Sequence, residues 1–279
     1  MRRIGAILLI FLLCLPLGAC RDDADCLTVY FFDVGQGDAA LIRAPDGDIL
    51  IDTGTEDSQE LLCLRLEQLG VTEIKLMILS HNDEDHIGGA DGVVSRFSVR
   101  EVWTNGAPME SESAKRFLTA ANQKEIPIRT VSAMNSTRVG DAIITVLSPL
   151  RIADVEAGNA DSLVLTVFFG EVGMLFAGDV DAAGEAELLG YYGAGIFDCD
   201  VYKVSHHGAS DASGEALLSA ISPRYAVISC GAGNPYGHPS GETLVRLEAA
   251  GAQILRTDLL GEILFECDGQ RLRCLTDGK

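Results

Sequence analysis

The ten residues from Ser80 to Gly89, "SHNDEDHIGG", concentrate groups that could bind metal ions. Two histidines and three acids follow directly after the apolar run "KLMILS", which is typical of a buried strand. Carboxylates packed this closely repel one another unless positive charge lies among them. The stretch therefore predicts a metal site on the loop that follows the strand.

Four donors within six residues could face two adjacent cations, because the chain reverses here and Gly88 and Gly89 allow the next helix to pack closely. The chain has five histidines, and all of them stand beside Gly-rich turns at the ends of predicted strands. A random scatter would not place every imidazole in such a position. We interpret these positions as parts of one active site: His81, His86, His206, His207 and His238.

Two further segments could belong to this site. Asp52 in "LIDTG" ends a predicted strand and could orient a ligand histidine through the second ring nitrogen, or it could be a turn aspartate before Gly54. In "DVGQGD", Asp33 and Gln36 could contact substrate at the rim of the metal site, together with Asp38. The same segment could instead be only a tight hairpin turn.

His238, in "NPYGHPSG", stands apart from the other histidines and could contact substrate or protonate a leaving group. Alternatively, it could simply neighbour the start of a helix. Asn234 and Tyr236 would supplement it by hydrogen bonding. Lys203 would offer a rare positive charge near the site.

The elements that position these residues are two β-rich halves with helices between the strands. Residues 28–54 read as consecutive hairpin strands, "EDSQELLCLRLEQLG" as an amphipathic helix, and "EIKLMILS" as a buried strand. The second half repeats strands and helices up to "QILRT" and "GEILFECD". We expect an α/β fold, a four-layer αββα sandwich, in one domain covering residues 28–279.

Residues 1–19 carry two arginines, an apolar run and small residues before Cys20, as a secretory signal does. The ending "LGAC" resembles a bacterial lipobox, so we expect lipid on Cys20 and a tether over residues 20–27. The protein would then be located at the outer face of the cytoplasmic membrane or outside the cell. An ordinary signal peptide or an uncleaved anchor is the alternative. Loss of residues 1–19 would move the net charge from -20 to -22, which excludes a broad basic surface for nucleic acid.

Several motifs together resemble the metallo-β-lactamase fold superfamily. "HNDEDHIGG" is similar to its H-x-[HD]-x-D-H-x-G-G signature. "DVGQGDAALIRAPDGDILIDTG", "DSLVLTVFFGEVGMLFAGD", "YKVSHHGAS" and "NPYGHPS" occur in the same order as in the hydrolase domain of the ComEC family of competence proteins. The resemblance implies a hydrolase with two divalent metal ions, zinc or manganese.

The resemblance also implies a ligand set. His81 and Asp83 would face one metal, Asp85 and His86 the other, and Asp179 would bridge both. Asp85 would in addition take part in catalysis. One histidine of "SHHG" would complete the second site, and strand alternation favours His206 over His207 without excluding the latter.

The chain departs from the family pattern at the first site. Many members have histidine where this chain has Asp83, and the usual third histidine is missing. The nearby candidates for a replacement ligand are Asn159, Asp161 and Ser162. More oxygen ligands make a harder set, which shifts the preference from zinc toward manganese.

Three functions are compatible with these residues. The first is hydrolysis of phosphodiesters, including DNA, by two metal ions and water. The second is hydrolysis of another substrate at the same site: a lactam, a thioester, or a cell-wall phosphate ester such as phosphorylcholine. The third is a lipid-anchored protein that binds metal without turnover. No obligate protein partner is evident from the sequence.

Overall fold

The computed structural model describes residues 26–152, 158–193 and 198–276. The predicted signal peptide and the lipid attachment at Cys20 lie outside these residues. The first strand begins at Leu27, within the last position of the predicted tether, and the Leu27 side chain is fully buried. Within the described residues, no helix is both long and apolar enough to cross a membrane.

The first sheet begins with three antiparallel strands joined by tight turns, as the sequence predicts, and then becomes parallel. In chain order, its first strands are β1 (Leu27–Phe31), β2 (Ala40–Ala44), β3 (Gly47–Ile51), β4 (Glu73–Ile78), β5 (Ser98–Val99), β6 (Val102–Thr104) and β7 (Ile128–Thr130). Two strands from the end of the chain complete it beside β1: β15 (Ile263–Cys267) and β16 (Leu272–Cys274). The order is β16-β15-β1-β2-β3-β4-β6-β7, with β5 also paired to β4.

The second sheet has the order β14-β13-β12-β11-β10-β9-β8. Its strands are β8 (Ser136–Val139), β9 (Ala142–Ser148), β10 (Val164–Phe169), β11 (Val172–Phe176), β12 (Val201–Lys203), β13 (Tyr225–Ile228) and β14 (Gln253–Arg256). The strands from β8 to β11 are antiparallel, and those from β11 to β14 are parallel. Because parallel strands need crossover connections, helices follow β11, β12 and β13.

The two sheets face each other across one apolar core, to which Phe31, Trp103 and Phe265 contribute fully buried rings. The outer face of the first sheet is covered by α1 (Gln59–Gln68), α3 (Ala90–Arg96) and α4 (Glu112–Gln123). The outer face of the second is covered by α5 (Ala182–Tyr192), α6 (Glu215–Ile221) and α7 (Gly241–Ala249). Two single-turn helices are α2 (Glu84–Ile87) and α8 (Thr257–Leu260). The predicted αββα sandwich is confirmed.

The parallel strands matter for function because their carboxyl ends meet at one edge of each sheet. β3 and β4 end just before Asp52 and Ser80, while β11 and β12 end just before Asp179 and the segment "SHHG". Loops at the carboxyl ends of parallel strands are where open α/β sheets place their ligand sites. The fold thus brings the polar residues of both halves of the chain together.

Candidate metal centre

The loop after β4 is formed by close packing against the segment after β3. A Cβ atom on Gly88 would lie 2.4 Å from the backbone nitrogen of Glu56, and one on Gly89 would lie 2.4 Å from the carbonyl oxygen of Thr53. Thr53 N also donates a hydrogen bond to His86 O, at 2.8 Å. The two glycines therefore allow α2 to approach the backbone, which turns His86 inward, where it is fully buried.

The Asp179 carboxylate is the centre of the cluster. Asp179 Oδ1 lies 3.2 Å from Nε2 of His86, and Oδ2 lies 3.5, 3.9 and 4.0 Å from Nε2 of His207, His81 and His206. Asp179 is 3% exposed, so bulk water does not screen these contacts. Imidazole nitrogens from both halves of the chain thus converge on one buried carboxylate.

Asp52 orients His86. Its Oδ2 lies 2.9 Å from His86 Nδ1, while Ser80 donates to the same carboxylate through its backbone nitrogen at 2.7 Å and its hydroxyl at 2.8 Å. Ser80 Oγ also lies 3.0 Å from Nδ1 of His81. With Nδ1 held in this way, Nε2 of each histidine is directed toward Asp179. Asp52 therefore has the geometry expected of a residue that orients a ligand histidine.

His207, rather than His206, points into the centre. Its Nε2 lies 3.1 Å from Asp85 Oδ2, and its Nδ1 lies 3.0 Å from the carbonyl oxygen of Ser229 and 3.3 Å from Asp38 Oδ1. The sequence-based preference for His206 assumed that strand alternation continues through the pair. The strand ends at Lys203, and both histidines have positive φ, so alternation does not decide their directions.

His206 lies at the edge of the cluster, and its side chain is 25% exposed. Its Nδ1 is 3.5 Å from Asp211 Oδ1, and its Nε2 is 3.4 Å from Asn159 Nδ2. The 4.0 Å separation from Asp179 leaves His206 close enough to serve as an additional ligand.

Asp83 and Asp85 differ in their surroundings. The Asp83 side chain is 63% exposed, and its Oδ2 lies 3.6 Å from Nε2 of His81. Asp85 is more enclosed and belongs to a compact group in which one ligand atom each from Asp85, His86, Asp179 and His207 lies within 4.8 Å of the others. Asp179 therefore belongs to this compact group and also lies 3.9 Å from Nε2 of His81.

The donor atoms fit divalent metal ions. Nε2 of His81, His86 and His207 and Oδ1 of Asp179 are buried and lack a hydrogen-bond partner of good geometry. Buried polar atoms without partners are costly in a folded protein. Nitrogen and carboxylate oxygen ligands that converge without partners are what a cation such as zinc or manganese requires.

The electrostatics of the metal-free cluster show the same complementarity. Burial would lower the pKa of His86 and His207, but Asp179 raises both well above their usual range, with help from Asp52 and Asp38 respectively. Burial would raise the pKa of Asp179, but the two histidines hold it well below its usual range. The imidazoles and the carboxylate thus each favour the charged form of the other.

The candidates for a third ligand of the first site lie in a 3-10 turn, Asn159–Asp161, and at Ser162. Of these, Asn159 contacts His206, whereas Ser162 is buried and its hydroxyl accepts a hydrogen bond from Asp179 N at 3.3 Å. Asp161 Oδ2 accepts a hydrogen bond from its own turn at Gly158 N. Ser162 therefore contacts the backbone of Asp179, and the Asp161 carboxylate faces the backbone of its own turn.

The loop after β13 places an aromatic pair beside the centre. The His238 ring lies 5.6 Å from the ring of His206 and 6.2 Å from that of His207, and Tyr236 stacks on His238 at 5.7 Å. Tyr236 is 69% exposed. Asn234 faces the backbone instead of the solvent, because its amide nitrogen donates to the carbonyl oxygen of His238 at 2.6 Å and its amide oxygen accepts from His238 N at 3.0 Å. Asn234 therefore shapes the loop that carries His238.

Three other predicted residues have partners of their own. Asp33 Oδ1 accepts a hydrogen bond from Gly35 N within its own turn, and Gln36 Oε1 accepts one from Gly231 N. Neither contact is directed at the cluster. Lys203 is 4% exposed and forms an ion pair with Asp38, so it cannot reach a substrate.

The sequence interpretation missed Ser80, Ser229 and Asp211, and it placed Asp38 at the rim although it lies beneath His207. Ser80 alone carried a usable signal, because a polar residue at the end of a buried strand needs a partner. The contacts of Ser229 and Asp211 join residues 22 and 5 positions apart through loops that no local pattern specifies.

Comparison with known proteins gives a family match over most of the chain. The family model described as "Metallo-beta-lactamase superfamily" matches residues 32–232. That range includes every residue of the cluster described above, from Asp38 to Ser229.

Two curated relatives match most of the chain, and one of them is named as a competence protein. The chain is 30% identical over 255 residues to "ComE operon protein 3" of Bacillus subtilis (strain 168) and 32% identical over 238 residues to "Competence protein ComA" of Neisseria gonorrhoeae. Each alignment covers 85% of this chain and 32% of the relative. The chain therefore spans about a third of the length of these relatives.

Among solved structures, the metallo-beta-lactamase fold protein YhfI from Bacillus subtilis is similar, with a TM-score of 0.56 at 10% identity. The match covers 86% of this chain and 99% of YhfI. At this identity the likeness shows the fold alone.

Proposed function

The chain belongs to the metallo-beta-lactamase superfamily, and from this premise we propose that it is an exported, metal-dependent phosphodiesterase whose substrates include DNA. The observation that carries the proposal is the convergence of four imidazole Nε2 atoms on the Asp179 carboxylate, within 3.2 to 4.0 Å. Hydrophobic residues of similar volume often stabilise a fold as well as a buried charged cluster does, so stability alone does not account for these residues.

Two divalent ions would be held by the two ligand groups that share Asp179. One ion would be held by His81 and Asp83, with His206 at their edge, and the other by Asp85, His86 and His207. Such ions, when bound, polarise phosphoryl oxygens and lower the pKa of a coordinated water. The mixed nitrogen and oxygen ligands accept zinc or manganese.

Hydrolysis of a phosphodiester adds one water across a P–O bond: a new P–O bond forms to the water oxygen, and the bond to the leaving alkoxide breaks. The leaving oxygen must then gain a proton. His238 has the chemistry to hold or supply this proton. The centre of its ring lies 5.6 Å from that of His206 and 6.2 Å from that of His207, outside the buried ligand group.

The charge of the chain argues that affinity for nucleic acid depends on the bound ions. A net charge of -20 repels a polyanion, and Lys203, the basic residue behind the cluster, is buried in an ion pair. Binding should therefore change little with salt and should be abolished by chelation. The name of one relative, "Competence protein ComA", supports nucleic acid as the substrate class.

Export and lipid attachment belong to the same proposal and rest on residues 1–20 of the sequence. Fractionation of intact cells should find the mature protein outside the cytoplasmic membrane. Mass spectrometry should find lipid on Cys20, and Cys20→Ala should abolish it. An unmodified Cys20 within an intact N-terminus would contradict the lipoprotein part without affecting the enzymatic part.

The decisive experiment measures turnover of chromogenic phosphodiester, phosphomonoester, thioester and lactam substrates, and of linear duplex and single-stranded DNA, by the mature protein loaded with manganese or zinc. We expect cleavage of the phosphodiester and of DNA, and none after chelation. Cleavage of a lactam or thioester without any phosphodiester would refute the proposed substrate. Stoichiometric metal binding with no turnover on any substrate would indicate a binding protein.

A further inference from the structure

A buried ion pair lies directly behind the metal centre. Lys203 Nζ is 2.6 Å from Asp38 Oδ2, and the two residues are each 4% exposed. Lys203 Nζ also donates to the carbonyl oxygen of Val204 at 3.0 Å. Lysine is almost never fully buried unless it is paired, so this position calls for a specific reason.

The other oxygen of Asp38 faces the metal centre. Asp38 Oδ1 lies 3.3 Å from Nδ1 of His207, which is also 3.0 Å from the carbonyl oxygen of Ser229. On the far side of the ring, Nε2 of His207 lies 3.1 Å from Asp85. Asp38 therefore connects the lysine to a histidine whose free nitrogen points at the ligand cluster.

A second acid makes the lysine necessary. One oxygen each of Asp38 and Asp52 and one nitrogen of His86 lie within 4.8 Å of one another, and all three residues are buried. Two carboxylates this close repel each other unless a cation is present. Lys203 is the cation among the residues that line the small cavity between them, which include Asp38, Asp52 and Ser229.

Solvent cannot replace the ammonium group. The cavity has a volume of about 10 Å³, which is at the lower limit for a single water molecule. Ser229 Oγ is buried beside it without a hydrogen-bond partner, and so is Asp38 Oδ1. The charge of Asp38 is therefore offset by Lys203 and not by bulk water.

We propose that Lys203 is a positioning residue: its buried ion pair fixes the Asp38 carboxylate beside His207, which holds the imidazole ring with Nε2 directed at the ligand cluster. The Ser229 carbonyl oxygen can only accept a hydrogen bond from Nδ1, and the Asp38 carboxylate on the same side of the ring limits its rotation. The positive charge that the sequence placed near the site therefore acts through two other side chains, Asp38 and His207.

The inference rests on the metal centre of the proposed function but not on its substrate, so the test measures metal affinity. Lys203→Met keeps the length and removes the charge. We expect the affinity for manganese or zinc, measured by competition with a chromogenic chelator, to fall about 10- to 100-fold, the range found when such supporting contacts are lost. Arg43→Met is the matched control, because it breaks an ion pair with Asp48 at the opposite end of β3. It should leave metal affinity unchanged.

A second variant covers the case in which Lys203→Met does not fold. Asp38→Asn combined with Lys203→Met replaces the ion pair by a neutral pair of similar volume, so no buried charge remains uncompensated. We expect this double variant to fold, to retain wild-type stability within the error of a denaturant titration, and still to bind metal at least 10-fold more weakly.

A spectroscopic readout separates positioning from a structural role. In ¹⁵N-labelled protein saturated with zinc, the Nε2 shift of His207 should report a metal-bound nitrogen in Arg43→Met, as in the wild type, and should be displaced from that value in the double variant. Wild-type metal affinity in a folded Lys203 variant would overturn the inference. So would an unchanged His207 Nε2 shift accompanied by weaker metal binding. Failure of the protein to cleave phosphodiesters would leave the inference standing.

Discussion

Replacing Asp179 by asparagine removes the charge on which the cluster converges while preserving the size of the side chain. The closest contact, 3.2 Å from Oδ1 to Nε2 of His86, corresponds to about 5 kcal/mol at an effective dielectric constant of about 20 when both groups are charged. Asparagine retains one acceptor oxygen, worth about 1 kcal/mol. Breaking one member of a buried pair typically costs 3 to 5 kcal/mol. We therefore expect metal-free Asp179→Asn to lose about 3 kcal/mol or more.

This loss should depend on pH in a defined direction. Despite burial, Asp179 raises the pKa of His86 and of His207 well above the usual range, so their charged forms contribute stability below about pH 6.5 that disappears as the pH rises through the raised values. Asp179 itself has a depressed pKa, so its contribution is present above about pH 4 and is lost in acid. The difference between wild type and variant should therefore be largest between about pH 4 and 6.5 and smaller at pH 9.

The assay is urea unfolding of chelator-treated protein at pH 6 and pH 9, paired with metal analysis of the loaded protein at pH 7.5. Asp179→Asn should reduce the number of bound ions at both ligand groups, because one carboxylate serves both. An equal loss of stability at the two pH values would refute the charge argument. Two ions bound with wild-type affinity by the variant would refute the shared role of Asp179.

Three further predictions follow from other contacts. His238→Ala should keep normal metal content while lowering phosphodiester turnover about 10²- to 10⁴-fold. Steady-state kinetics combined with metal analysis would check this, and an equal loss of metal would contradict the placement of His238 outside the ligand group. Gly37→Ala should lower stability and metal affinity, because its Cβ atom would lie 2.5 Å from the Asp85 carbonyl oxygen. In the control Gly35→Ala, the Cβ atom meets no atom within 4 Å, so this variant should lose only about 1 to 3 kcal/mol through backbone strain. Burial raises the pKa of Glu185 to about 6, so wild-type stability should fall by about 2 kcal/mol as the pH rises from about 4.5 through 6, and Glu185→Gln should lose this part of the pH dependence in denaturant titrations.

Much of the fold could be predicted because its signals are local. β1 alternates buried and half-buried residues, β2 to β4 are short apolar runs, and α1 buries Leu62, Cys63 and Leu66 on one side. The sequence interpretation did not identify α4, although its apolar face packs on α3 and the first sheet. It also could not pair β15 with β1, since that contact joins strands more than 230 residues apart.

The donor-rich loop after β4 could be recognised for the same reason: four donors stand within six residues. What the sequence could not decide depends on backbone geometry beyond the strands. Both His206 and His207 adopt left-handed φ values, near +50°, a conformation in which the period of two no longer assigns faces. The burial of Lys203 was equally hidden, because it depends on Asp38, which lies 165 positions earlier in the chain.

The segment "DVGQGD" connects the parts of the cluster that the two sheets carry. Gly37 lies against the backbone of Asp85, and Asp38 N donates to the Asp85 carbonyl oxygen at 3.0 Å, which ties the segment to the first half. Gln36 accepts a hydrogen bond from Gly231 N at 3.1 Å, and the Asp38 side chain reaches Lys203, which ties it to the second half. A metal pair tolerates errors of only a few tenths of an ångström in ligand position. Because each sheet alone carries only part of the ligands, the precision of the centre must come from a segment bonded to both, and these four contacts give "DVGQGD" that position.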